Sequence, residues 1–106
     1  MLQYLYRLQP SRADMLVTGL TPDEEAAVRA HFSYLETLTQ RGVVLLAGRT
    51  LNSDEHTFGI VVFAAASGEE AAELVQGDPS VARGVMKAEL FPFAVSLLSR
   101  EWAGDR

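Results

Sequence analysis

Two short segments of this chain, Val43 to Ala47 and Phe58 to Ala66, are apolar along their whole length rather than at alternate positions. Successive side chains of a β-strand point to opposite faces, so a segment of this kind needs cover on both sides. Phe58, Ile60 and Val62 point one way while Val61 and Phe63 point the other. Val43 with Val44, Leu45 with Leu46, and Phe91 and Phe93 with Leu90 and Ala94 repeat the pattern. A fold that buries only one face of such strands leaves the other to be covered by something else.

The helical segments show what covers the first face. Leu2 to Leu8 alternates and reads as a strand that Pro10 ends, and Ser11 to Leu20 reads as a loop. Thr21-Pro22-Asp23-Glu24 supplies an N-cap, a proline at the first helical position and an acid two residues on. The helix that follows carries Ala27, Ala30, His31, Tyr34, Leu35 and Leu38 at helical spacing and runs to about Arg41, before Gly42. The two apolar runs form a hairpin around Asn52-Ser53-Asp54-Glu55. Ser67-Gly68-Glu69-Glu70 reads as a second capping box, opening a shorter helix that stops at Gly77, and Asp78-Pro79 starts a further short turn to about Arg83. Val85 to Leu98 is the last strand, with Pro92 marking an edge or a bulge.

The order is β-α-β-β-α-β: a ferredoxin-like α+β unit with a four-stranded, mostly antiparallel sheet and two helices on one face. One domain spans residues 1–98, with a polar tail at 99–106. Two helices cover one face only. The open face is therefore expected to pack on the same face of a second copy as a homodimer, the alternative being that Trp102 and the tail fold back over it.

Composition narrows the partners. The 106 residues are 48% hydrophobic and 22% charged, enough for one core, and at this length association adds welcome burial. The net charge is −5 and the nine Lys and Arg residues form no basic stripe, which argues against nucleic acid and anionic membrane. There are no cysteines, which removes disulfides and thiolate chemistry. The first ten residues lack the apolar run of a signal peptide and nothing approaches the roughly 20 apolar residues of a membrane span, so a cytoplasmic location is expected.

Among chemically able residues His31 stands out, because it shares an otherwise apolar helix face with Ala27, Tyr34, Leu35 and Leu38. A polar ring there needs a partner. Both helices follow strands expected to be parallel neighbours, so they are expected to start from the same end of the sheet. His31 is nine residues beyond Pro22 and Asp78 ten beyond Gly68. At a rise of 1.5 Å per residue both lie about 14–15 Å along, which sets them side by side. A carboxylate on one ring nitrogen fixes the tautomer and leaves the other as a base; the same pair also reads as a structural contact, with Asp78 capping the turn that follows. Tyr34 and Phe93 are candidates to line a substrate cavity and Arg49 to bind an anionic group, each with a plainer reading as core or solvated surface. His56 falls in the hairpin turn. No metal-ligand spacing and no dinucleotide, phosphate-loop or serine-hydrolase motif is present, so neither metal nor cofactor is expected.

Four features in order, His31-Phe32-Ser33-Tyr34-Leu35, Gly42 through Ala47-Gly48, Gly77-Asp78-Pro79 with Arg83-Gly84-Val85, and Phe91-Pro92-Phe93, resemble the YciI-related (YCII) family across almost the whole chain. The resemblance implies a dimeric α+β barrel, made when two sheets pack face to face, and a His–Asp site carried here by His31 and Asp78. Many relatives have Gly-Pro where this chain has Gly48-Arg49, and some have an arginine where it has Val28. The family includes a dehydrochlorinase acting on a chlorinated hydroxyquinol. The expected function is general acid/base chemistry of isomerase, lyase or hydrolase type on a small cyclic or aromatic metabolite. The alternatives are a non-catalytic small-molecule-binding or accessory dimeric module and a purely structural dimer.

Overall fold

The computed structural model describes residues 1–101. Strand β1 (Leu2–Pro10) is followed by a single helical turn, α1 (Met15–Thr18), and the long helix α2 (Pro22–Gln40). Strands β2 (Val44–Arg49) and β3 (Gly59–Ala65) form the hairpin. Helix α3 (Gly68–Gly77), the turn α4 (Pro79–Ala82) and β4 (Met86–Phe93) complete the unit. The sheet order is β2-β3-β1-β4, every adjacent pair antiparallel.

Local chemistry explains the element boundaries. Thr21 accepts the amide of Glu24 while the Glu24 carboxylate accepts the amide of Thr21, a closed capping box with Pro22 at the first position. At α3, Ser67 accepts the amide of Glu70, and the expected return contact from Glu70 is not made among the described residues. Gly42 takes a φ of 76°, the left-handed conformation that lets the chain leave α2 for β2.

Three expectations change. The segment Ser11 to Leu20 is not a plain loop, because α1 buries Met15 against Ala27 and Val85. The last strand ends at Phe93 rather than Leu98; Pro92 sits near its end on the edge strand, where its missing N–H costs no ladder bond on the solvent side. The strands that feed α2 and α3 are antiparallel neighbours, with Tyr6 opposite Val61. The two helices thus start from opposite ends of the sheet and run toward each other.

Tyr4, Tyr6, Leu8, Val61, Phe63 and Ala65 fill the helix-facing side of the sheet against Leu35, Ala71 and Val75. The Phe63 ring packs between Tyr4 and Tyr6, at centroid distances of 5.8 and 5.7 Å. On the other side the register aligns Leu46, Val62, Leu5 and Phe91 in one row across all four strands. Phe58, Ile60 and Phe93 extend that row into an apolar face, on which Leu46, Phe58, Phe91 and Phe93 are each exposed. A bulge between Val44 and Leu46 lets β2 contribute to both faces. The segment that follows β4 does not close this face among the described residues: Leu97 is 94% exposed and Leu98 65%. Trp102, expected as an alternative cover, lies outside the described residues. No described helix is long and apolar enough to cross a membrane.

Candidate functional site

His31 is the tenth of the nineteen residues of α2, Asp78 directly follows the ten residues of α3, and Tyr6 is the fifth of the nine residues of β1. Two helices that run toward each other over an antiparallel sheet bring these three positions together above its middle. The neighbourhood of His31 and Asp78 expected from helix arithmetic is thus present, for a different reason from the one expected.

The Asp78 side chain is fully buried and fully engaged. Its Oδ1 accepts the Ser80 amide at 3.0 Å and the Ser80 hydroxyl at 2.9 Å, and its Oδ2 accepts the Tyr6 hydroxyl at 2.8 Å. His31 Nδ1 lies 2.8 Å from both oxygens. Burial pushes the Asp78 carboxyl up; the His31 hydrogen bond and charge, together with the Tyr6 and Ser80 donors, outweigh it and hold the group below the ordinary aspartate value. A carboxylate in that state has no proton to give, so Nδ1 donates and the ring proton is placed there.

That leaves Nε2. The His31 side chain is 18% exposed, Nε2 makes no hydrogen bond among the described residues, and it is not among the buried unpaired atoms. A nitrogen that is free, reachable and opposite a carboxylate-bound N–H is equipped to take up a proton and to return it.

His, Asp and Ser stand together here, as in a hydrolytic triad, but in the wrong geometry for one. Ser80 Oγ is fully buried and lies 3.3 Å from Nδ1, the nitrogen that faces the carboxylate. A nucleophilic serine belongs beside the opposite nitrogen, within reach of substrate. Ser80 instead helps hold Asp78, which at the same time caps α4.

Of the other sequence candidates, Tyr34 lies one turn beyond His31, half-buried, and donates to the Leu74 carbonyl at 2.7 Å. Its hydroxyl is pushed up, first by burial and then by the Asp78 charge. Arg49 is exposed at the end of the edge strand β2, opposite Gly59, and Phe93 lies on the open face opposite Gln3. His31, Asp78 and Tyr34 are therefore neighbours, whereas Arg49 and Phe93 are not part of that cluster. Tyr6 and Ser80 escaped the sequence reading. Tyr6 reads as one more apolar-face residue of β1, although a buried phenol does need a partner for its hydroxyl.

A concavity of about 490 Å³ lies elsewhere, at the start of α2, lined by Ser11, Arg12, Asp23, Glu24, Arg83 and Val85 among others. Arg12 is engaged there: its guanidinium grips both Glu24 oxygens at 3.0 and 2.6 Å and also reaches the Gly19 carbonyl. No cluster of three or more potential metal ligands occurs among the described residues.

Residues 4–94 match the model of the YCII-related domain family. A comparison with curated proteins gives no match. Among solved structures, 5-chloro-2-hydroxyhydroquinone dehydrochlorinase (TftG) from Burkholderia phenoliruptrix AC1100, in complex with 2,5-dihydroxybenzoquinone, aligns with a TM-score of 0.61 at 19% identity, covering 86% of this chain and 93% of that one. The uncharacterized protein TM1266 from Thermotoga maritima aligns with a TM-score of 0.51 at 12% identity, covering 87% of this chain and 95% of that one. At such identities the likeness is one of fold.

Proposed function

This chain belongs to the YCII-related domain family, and from that premise we propose that it is an enzyme in which His31, held by Asp78, moves a proton on a small cyclic or aromatic metabolite. The observation that carries the reading is the asymmetry of the ring: Nδ1 is tied to a buried carboxylate, while Nε2 has no partner among the described residues on a side chain that is 18% exposed. In the resting state Nε2 is the base. It takes a proton from a carbon or hydroxyl acid of the substrate, or in a hydrolysis from the attacking water, and the resulting imidazolium is stabilised by Asp78 until it returns the proton to the same molecule or its leaving group. Isomerase, lyase and hydrolase reactions share this step. Tyr34, one turn beyond His31, is the nearest candidate to line the substrate site; Arg49 and Phe93, at the ends of β2 and β4, would take part only where a second copy brings them closer.

The setting proposed for this chemistry is a cytoplasmic homodimer formed through the open sheet face, where Leu46, Phe58, Phe91 and Phe93 are exposed within one chain and a second copy would cover them. The fold-level likeness to a dehydrochlorinase that binds a dihydroxybenzoquinone makes hydroxylated and halogenated aromatic rings the first substrates to try.

One observation favours a second reading, a non-catalytic binding or accessory module: the concavity of about 490 Å³ does not include His31 among its lining residues. A panel of hydroxylated and chlorinated hydroquinones, incubated with the wild type and His31→Ala, separates the two. Turnover by the wild type that disappears in His31→Ala while binding persists supports the enzyme. Binding without turnover in both supports the module, and turnover undiminished in His31→Ala overturns the assignment of His31.

A further inference from the structure

Tyr6 belongs to the sheet, not to the helices that carry the dyad, yet its hydroxyl ends at the dyad. The residue is fully buried in the centre of β1, its ring meets Phe63 edge-on at 5.7 Å with an interplanar angle of 76°, and its hydroxyl donates to Asp78 Oδ2 at 2.8 Å. That oxygen is also 2.8 Å from His31 Nδ1. The phenol and the imidazole therefore compete for the same lone-pair density. The Ser80 donors hold the other oxygen, so each carboxylate oxygen is loaded from the protein side before His31 makes any demand on it.

We infer that Tyr6 is a positioning residue that sets how strongly Asp78 draws on the His31 N–H, and through it how good a base Nε2 is. The inference rests on the proposed role of His31 and adds to it a control from beneath the helices. The physical reason is the sharing of charge: each donor on a carboxylate lowers the charge left for the next, so removing one strengthens the bonds that remain. Burial and the neighbouring Asp78 charge push the Tyr6 hydroxyl up, which keeps it protonated and donating throughout the working range. Tyr34 provides an internal contrast. It is close to the same carboxylate, but its hydroxyl is committed to the Leu74 carbonyl.

The test needs no substrate. The His31 Nδ1–H proton is followed by NMR in the wild type, Tyr6→Phe and Tyr34→Phe. Tyr6→Phe keeps the ring packing and removes only the hydroxyl, so the Nδ1–H resonance is expected to move downfield as its bond to Asp78 tightens, while Tyr34→Phe leaves it in place. An unmoved resonance in Tyr6→Phe, or an equal displacement in both variants, overturns the inference. Should Tyr6→Phe not fold, wild-type protein made with 3-fluorotyrosine serves instead: its more acidic phenol donates more strongly and moves the resonance upfield, and no movement counts against the inference. The reading beneath it fails separately, if His31→Ala retains turnover, whatever the resonance does.

Discussion

The Tyr34 hydroxyl stands 2.9 Å from the position a Cβ would take on Gly77, while donating to the Leu74 carbonyl one turn earlier in α3. A glycine at the end of α3, with no need for a positive φ, is thus explained by a side chain from α2. The contact ties α2 to the end of α3 one turn beyond His31.

Gly77→Ala should therefore destabilise the wild type even though alanine is favoured over glycine in a helix by about 0.5–1 kcal/mol. The added methyl displaces the Tyr34 hydroxyl, and the lost hydrogen bond and shifted ring leave a net cost of about 1 kcal/mol. In a Tyr34→Phe background the nearest ring atom is at an ordinary 3.6 Å, so the same substitution becomes neutral or mildly stabilising. Urea unfolding of the four proteins checks the change of sign.

Asp78→Ala removes the acceptor of Tyr6, Ser80 and His31 in one step, together with the cap of α4. Breaking a buried pair from one side costs about 3–5 kcal/mol, so this variant should be among the least stable single substitutions. Ser80→Ala, which leaves the other donors in place, should cost only about 1 kcal/mol. The ranking of unfolding midpoints decides it.

The depressed Asp78 carboxyl predicts an acid limb. The group titrates lower in the folded chain than the value of about 3.9 expected when unfolded. The stability it contributes is therefore fully present above that value and is lost as pH falls through the folded one. Wild-type unfolding free energy should decline more steeply below about pH 4 than that of Asp78→Asn, which has no carboxyl to protonate at this position. Parallel declines would show that Asp78 is not the source.

Much of the architecture is legible in the sequence. Thr21 to Glu24, Ser67 and Gly42 mark helix ends because their side-chain oxygens or lack of a Cβ act locally, within a few residues. His31 stood out for a similar reason, as a polar ring in an apolar stripe. Strand direction is not local. The parallel arrangement expected for β1 and β3 is wrong, and Asp78 still falls beside His31 because His31 sits at the middle of α2, where counting from either end of the sheet gives nearly the same height. Tyr6 was missed since alternation reports which face a side chain takes, and not where its hydroxyl goes.

Arg12 ties the segment around α1 to the capping box of α2, and it holds the Glu24 carboxyl down to about 2, with the Thr21 amide assisting. Arg12→Ala should speed amide exchange at Val17 to Gly19 and at the first turn of α2, while leaving the centre of the sheet unchanged. Uniform protection in the variant would mean that α1 is held by Met15 alone.

If the open face is the contact between two copies, Phe91→Glu should weaken association by at least about tenfold, since an aromatic in an interface core is worth about 2 kcal/mol or more. The side chain is already 43% exposed within one chain, so the monomer should remain folded. Light scattering at micromolar concentration reads the difference, and a monomeric wild type would contradict the dimer.

The central claim is that His31 presents a free Nε2 because Nδ1 is bound to Asp78. Long-range 1H–15N correlation of the neutral ring tests it directly, because the two nitrogens differ sharply in shift according to which one carries the proton. The account predicts the proton on Nδ1 in the wild type and a loss of that preference in Asp78→Asn. A proton on Nε2 in the wild type, or a tautomer indifferent to Asp78→Asn, would contradict it.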